Sequence, residues 1–497
     1  MKKNIIYILA LFIVLMTSCS ESALNYTDPN SMSSETFPQT EAELVAGINS
    51  IYSPLQSFGL YSRYIPYMFD NMGHDSEKAG NLSADLQDFL NFTFTPSNND
   101  IYLYWKNCYN GIFRANMILD QEERVSTIEG ITDEMKNKYL GEARFLRAFY
   151  YFMLTSRFGD IPLYMTSEVG PEGLPKSSQE KVYDLIIDDL TKSISILRKK
   201  SEEDSWRANV GAAQGLLGKV YLYRKDYDNA KIVFDALITG GEYSLVDDYF
   251  DNFKSETEHN SESLFEARFK DEYNRGWGAP GWSGFDGGDV TLRSIEYGIG
   301  GWHNVNPSDA LVDQFEDNDP RTEACFYFPG SSFGISGAVV TQEQIGAQKA
   351  AWRKYQLTYK QDSEGPASDI NFRVIRYADI LLMSAEVENE LGNLQPAIKL
   401  LNQVRNRVSM PEYGSSEMNA IYPVATKEEV FAAIVHERQI ELAGEQSRFP
   451  DLVRWGLAEQ VLGDYGFKTG KHEIFPIPQV EINTNQSLTA DDQNPGY

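Results

Sequence analysis

Cysteine is scarce in this chain: three in 497 residues, at Cys19, Cys108 and Cys325. That excludes any metal site built from paired cysteines. Long apolar runs are also missing beyond residue 16, where nothing approaches the roughly 18 consecutive apolar residues of a membrane-spanning helix, so the body of the chain is expected to be water-soluble. Positive charge is short as well. With 44 Lys and Arg against 72 Asp and Glu, the formal charge is −28. A surface this acidic is a poor partner for nucleic acid or for anionic lipid, and solubility is explanation enough for it.

What is present starts at the N-terminus. Lys2 and Lys3 precede an apolar run of 12 residues, Ile5–Met16. This is too short to span a bilayer as a helix, which needs roughly 20 residues, and it suits a signal peptide. The run ends in Leu15-Met16-Thr17-Ser18-Cys19, the pattern a bacterial lipoprotein signal peptidase recognises. Residues 1–18 are therefore read as the signal peptide and Cys19 as the acylated first residue of the mature chain. Each buried CH₂ of an acyl chain adds roughly 0.8 kcal/mol of membrane affinity, so several chains hold a soluble body at a membrane. Loss of Lys2 and Lys3 takes the formal charge from −28 to −30. Cys108 and Cys325 either pair or stay buried and free; spacing alone does not choose.

Periodicity predicts a mainly α fold. Apolar residues recur at three or four over Glu41–Tyr52, Ile101–Leu119, Asp133–Arg157 and Lys181–Leu197. Asn209–Arg224 and Tyr227–Ile238 form two helices joined by a tight Lys225-Asp226 turn, with small residues such as Ala212, Gly218 and Ala230 where two helices must approach. This is a hairpin of the tetratricopeptide kind. The pattern returns at Arg376–Leu391 and Gln395–Arg407, and a further pair is expected at Glu428–Ala443 and Phe449–Val461. The repeats are too diverged for a regular solenoid. The expected fold is therefore tetratricopeptide-like helical hairpins packed against irregular loops with little β. Residues 19–240 and 241–497 form two parts of one globular unit.

Two stretches do not read as helix. Asn71–Asn99 is polar and irregular. Tyr273–Pro307 is rich in glycine and holds Trp277, Trp282 and Trp302, three of the seven tryptophans. Irregular loops on a helical scaffold are where binding groups concentrate. Aromatics make up 13% of the chain and include 29 Tyr, and much of this is packing. Tyr and Trp join an apolar ring to a polar tip, which suits a wet face that stacks on sugar rings. An aromatic platform and plain loop packing are the two readings of these three tryptophans.

Taken in order, several strings resemble the SusD/RagB family of surface glycan-binding lipoproteins: Trp105–Leu119, Glu142–Leu163, Val182–Leu190, Arg207–Tyr223, Leu311–Arg321, Ile375–Glu390, Leu401–Arg407, Glu437–Gly456, Phe475–Pro478 and Gln493–Tyr497. Pro450 departs from the usual pattern before an Asp-Leu step. The resemblance implies a lipid-anchored protein at the outer membrane, facing the cell exterior, that captures a glycan and passes it to a SusC-like TonB-dependent transporter. It implies scaffold ion pairs for Arg147, Arg376, Arg438 and Arg454. By position in the family, Arg63 matches an arginine that contacts sugar. Lys78–Asp85 lies in the first ligand loop but lacks its aromatic, which argues against starch. Trp277, Trp282 and Trp302, with Tyr273 and Tyr297 beside them, correspond to the later aromatics. Arg63, His74 and Asn81 are candidate hydroxyl partners.

Enzyme motifs fail on context. Gly276-Trp277-Gly278-Ala279-Pro280-Gly281 spells a dinucleotide fingerprint, but Pro280 spoils the turn into a helix. Gly330-Ser331-Ser332-Phe333-Gly334 spells a nucleophile elbow with no strand–helix alternation around it. His436-Glu437 begins a zinc-protease motif, yet Ile440 stands where the second histidine belongs. Glu316-Asp317-Asn318-Asp319 lacks the spacing of a calcium loop. No cofactor is expected, with a structural Ca²⁺ left open. Glycan capture without catalysis is the first reading. Capture of a non-sugar nutrient such as peptide is the second, and a surface glycoside hydrolase is the third.

Overall fold

The structure is a computed structural model that describes residues 37–77, 84–271, 288 and 290–497. Its N-terminal half is a run of antiparallel helices whose ends carry their own stop signals. Helix α1 spans Glu41–Tyr52 and α2 Tyr64–Met72. Helix α3, Asn99–Leu119, starts where the Asn98 side chain accepts hydrogen bonds from the backbone N–H of Asp100 and Ile101. Helix α4, Asp133–Phe158, is capped by Thr132 and ends at Gly159, whose φ of 70° only glycine adopts at ease. Helix α5 is Gln179–Ile196. Helix α6, Val210–Tyr223, is capped by Asn209, and α7, Tyr227–Thr239, by Asp226.

From α3 onward each helix packs on the next, α3 on α4, α4 on α5, α5 on α6 and α6 on α7, while α1 packs on α3. Close approach is set by glycine. A Cβ on Gly218 of α6 would lie 2.3 Å from the Phe234 ring of α7, and one on Gly111 of α3 would lie 2.1 Å from the Tyr150 ring of α4. Helix α4 is buried almost all round between Tyr139 and Thr155, which is why its apolar residues do not keep to one stripe.

The chain leaves this stack after Thr239 and returns at Tyr377. In between run turns, short helices and short strands, one of which pairs with a strand from the N-terminal half. Strand β1, Ser76–Glu77, pairs antiparallel with β3, Asn306–Pro307; strand β2, Ser263–Ala267, pairs antiparallel with β4, Phe372–Arg376. Helix α8 is the short Arg293–Tyr297. The stack then resumes with α9, Tyr377–Glu390, α10, Leu394–Arg407, and α11, Lys427–Glu441. Helix α9 packs directly on α7, so the helical array is continuous in space though interrupted in sequence. One buried apolar cluster runs through it from Leu44 to Ile477. Mainly helical, with tetratricopeptide-like hairpins and two-stranded scraps of β, the fold is the one periodicity predicts.

Buried ion pairs lock the insertion to the returning helices. Arg376, at the end of β4, donates to Glu262, Glu441 and Glu445 at 2.6–2.7 Å. Arg407 donates to Glu441, Arg321 to Asp319, Glu437 and Glu441, and Arg405 to Glu316 and Glu437. Arg147 pairs with Asp189, Arg438 with Asp379 and Asp451, and Arg454 with Glu386 and Asp451. The four arginines read from the sequence as scaffold ion pairs are therefore that. Cys108 and Cys325 are both buried and free.

Two expectations are corrected. Within the stretch read as irregular, Ala84–Asn91 is helical, and Leu86, Phe89 and Leu90 bury one face of it at helical spacing amid polar neighbours. Phe449–Val461 is not one helix. It divides into α12, Arg448–Arg454, and a five-residue helix, Ala458–Leu462, because Gly456 at φ 72° breaks the helix between them. Among the described residues no helix is long and apolar enough to cross a membrane.

Candidate functional site

Arg63 stands at the head of α2, a helix whose residues are buried along its whole length. The strand of chain from residue 290 to 305 is stitched beside it. Leu292 N–H donates to Ser62 O at 2.8 Å, Ser62 Oγ donates to Val290 O at 3.0 Å, and Gly288 N–H donates to Gln56 O at 3.1 Å. After α8 the chain doubles back. Trp302 N–H donates to Ile295 O at 2.7 Å, and a Cβ on Gly301 would lie 2.2 Å from that same oxygen, so glycine is needed there. This return brings the indole of Trp302 over Arg63.

The guanidinium carbon of Arg63 lies 5.3 Å from the centroid of Trp302, 5.2 Å from Phe58, 5.8 Å from Tyr67 and 5.9 Å from Tyr64. Its Nε donates to Glu296 Oε1 at 2.5 Å, and Asn304 donates to the other oxygen of that buried carboxylate. Burial works against the charge on Arg63, but Glu296 and the neighbouring tyrosines override it and push its pKa up. The two Nη atoms make no hydrogen bond among the described residues. Arg63 keeps 21% of its side-chain surface exposed, and Trp302 is half-buried. The result is a fixed, charged donor held beside a half-buried indole. Such a corner can hydrogen-bond hydroxyls while the ring stacks on an apolar face.

The other expected site residues divide into three groups. Tyr297 is a correction: it is 1% exposed, and its hydroxyl donates to the buried Asp70 at 2.6 Å, so its ring belongs to the core and offers no stacking surface. His74 is half-buried at the opposite end of α2 from Arg63. Its ring stacks on Tyr465 with centroids 3.4 Å apart, and its Nε2–H donates to Leu90 O at 3.1 Å. Burial lowers its pKa to about 4, so it is neutral at pH 7 with Nδ1 as an acceptor. Tyr273, Trp277, Trp282, Asn81 and the anchor Cys19 lie outside the described residues. The described residues that flank them are informative. Glu77 pairs with Asn306, four residues beyond Trp302, and Gly288 and Val290 are tied to Gln56 and Ser62.

Glu296 and the Phe58–Tyr64–Tyr67 cage were not found by reading the sequence. Glu296 is 233 residues from Arg63 in sequence, so no local spacing links the two, whereas the three rings lie within five residues of Arg63 and only the folded turn into α2 shows that they surround it.

The rejected motifs are otherwise occupied. Ser332, the nucleophile position of the elbow spelling, sits exposed on a two-residue strand paired with Val339, with no helix after it. His436 stacks on Tyr422, and Glu437 binds Arg321 and Arg405. Glu316 and Asp319 are spent on Arg405 and Arg321. Among the described residues Glu258, His259 and Glu266 bring ligand atoms within 4.8 Å of one another. Asn371 decides their chemistry. Its Oδ1 accepts from Phe269 N–H, so its Nδ2 faces His259 Nε2 and donates to Glu266. The proton of neutral His259 then sits on Nδ1, facing Glu266, where a metal would need a lone pair. We assign no metal to this group.

Residues 261–473 match the model of the SusD family. Residues 25–222 match a model described as "Starch-binding associating with outer membrane". The fold is similar to a solved SusD superfamily protein from Bacteroides vulgatus at 30% identity and a TM-score of 0.79, covering 93% of this chain and 100% of that one. The chain belongs to the SusD family. A second solved SusD relative, a laminarin binding SusD-like protein, is similar at 29% identity and a TM-score of 0.76 over 92% of this chain and 100% of that one. A SusD-like protein of Formosa agariphila is 26% identical over 501 aligned residues, 95% of each chain. Membership of the SusD family accounts for the order of the strings and for the helical array that carries the site.

Proposed function

We propose that this protein is a cell-surface lipoprotein that binds oligo- or polysaccharide and delivers it to a SusC-like TonB-dependent transporter in the outer membrane. It binds and does not cleave. The observation that carries the reading is the Arg63–Trp302 corner: a caged, charged guanidinium beside a half-buried indole. The laminarin binding relative and the starch-binding description of the N-terminal model support a carbohydrate ligand. Cys19, directly after the apolar leader, is the lipid anchor and places the protein on the membrane exterior through its acyl chains alone. The acidic surface keeps it off nucleic acid.

The binding test is a titration of starch and laminarin oligosaccharides and a wider glycan panel against wild type, Trp302→Ala and Arg63→Ala. Trp302→Ala is expected to weaken the cognate glycan at least tenfold, about 1.4 kcal/mol, with the melting temperature close to wild type. Binding within twofold of wild type for Trp302→Ala on every glycan bound overturns the site. Anchorage is tested by Cys19→Ser, which is expected to release the protein from the membrane fraction.

A further inference from the structure

We propose that a second saccharide site lies at the far end of α2 from Arg63, in a pocket of about 300 Å³ between His74, Asp75, Gln314, Gln439, Arg448 and Tyr465, and that it holds one neutral pyranose unit. It rests on the glycan reading for its ligand class and on its own side chains for its place. Arg63 and His74 bracket α2 and are separated by roughly 15 Å at the helical rise, so the two sites are distinct.

Four features build it. Tyr465 keeps 49% of its surface exposed, and the His74 ring lies nearly parallel to it at 25°, which holds the phenol ring in place from behind. Asp75 is 4% exposed, and its Oδ1 accepts from Gln439 Nε2 at 2.8 Å. Arg448 lines the pocket, and its Nε and Nη1 are buried without a hydrogen-bond partner among the described residues. Gly73 is the reason Arg448 fits: a Cβ there would lie 3.1 Å from the Arg448 Cβ.

The mixture selects the ligand. A carboxylate and a guanidinium cancel in charge, which favours a neutral molecule over an acid or an amine. Planar acceptors and donors beside one exposed ring match vicinal hydroxyls on a sugar with an apolar C–H face. The volume is at the small end for ligand sites and limits it to one ring. Burial pushes the pKa of Asp75 up to about 6 against the pull of Arg448, so it is an anionic acceptor at neutral pH.

Saturation-transfer NMR on the full chain tests this, with methyl α- and β-glucopyranoside, methyl galactopyranoside and methyl mannopyranoside as probes. At least one is expected to give a signal that falls fivefold or more in Tyr465→Ala, stays within twofold in Tyr465→Phe, and is unchanged in Trp302→Ala. No signal from any pyranoside with wild type, or a full signal with Tyr465→Ala, overturns the second site. Polysaccharide titrations run in parallel separate the two readings. Polysaccharide binding that depends on Trp302 while the pyranosides fail sinks this site alone. Pyranoside binding that depends on Tyr465 while Trp302→Ala retains all polysaccharide binding supports this site and sinks the other.

Discussion

Glu441→Gln tests the electrostatic lock between the insertion and the returning helices. Glu441 is fully buried on α11. It accepts from Arg407 Nη2 at 2.5 Å, from Arg376 Nη1 at 2.6 Å and from Arg321 Nη1 at 3.0 Å. Glutamine keeps the shape but turns one acceptor into a donor facing guanidinium groups and leaves one buried positive charge uncompensated. Breaking a buried pair costs about 3–5 kcal/mol. Because Glu262, Glu437 and Glu445 remain beside the same arginines, the lower end applies, about 3 kcal/mol. For 497 residues the unfolding entropy is roughly 1 kcal/mol per degree, so the melting temperature should fall by about 3 °C at pH 7. Burial alone would raise the pKa of Glu441, but Arg407, Arg376 and Arg321 hold it far below the carboxylate range. A depressed folded pKa contributes stability above the unfolded value, about 4.3, and loses it as pH falls further. The gap between wild type and variant should therefore be widest at pH 7 and shrink below pH 4. Scanning calorimetry at pH 7 and pH 3.5 reads both. Equal melting temperatures at pH 7, or a gap that grows on acidification, would refute the reasoning.

Gly218→Ala places a Cβ against the Phe234 ring and should cost about 1–3 kcal/mol by forcing α6 and α7 apart, read as a melting temperature lower by one to three degrees; no change would show that the hairpin has slack. Glu364 shows the opposite pH behaviour to Glu441. Burial pushes its pKa up to about 8, with Oε2 buried and unpaired while Oε1 accepts from Thr358 N–H. Between about pH 4.3 and pH 8 the folded chain holds this proton and the unfolded chain does not, so wild type loses up to about 1.4 kcal/mol per pH unit there. Glu364→Gln removes that slope and should gain on wild type between pH 5 and pH 8 in denaturant titrations; a constant difference across that range would count against it. Trp302→Ala is the corresponding test of the binding face, and Tyr465→Ala of the second pocket.

The helices were legible because their signals are local. Asn98, Thr132, Asn209 and Asp226 cap four of them within three residues, and Gly159 ends one by its own backbone freedom. Arg147, Arg376, Arg438 and Arg454 were readable as ion-paired scaffold through family resemblance, since their partners lie far away in sequence. The helix at Ala84–Asn91 was missed because three apolar residues in a polar stretch give too weak a period, and burial against the rest of the core is what stabilises it. The break at Gly456 was missed because a single glycine is compatible with either a helix or a stop.

Composition, capping and small residues at close approaches determined from sequence alone that the chain is a helical array with a glycine-rich irregular stretch at Tyr273–Pro307. Which aromatic rings stand open was decided only by the tertiary structure. Tyr297 and Trp302 are five residues apart in the same glycine-rich stretch, yet one is sealed against Asp70 and the other lies over Arg63. Exposure depends on what packs from distant segments, here Phe58, Asp70 and Glu296, and a one-dimensional pattern carries no record of those neighbours.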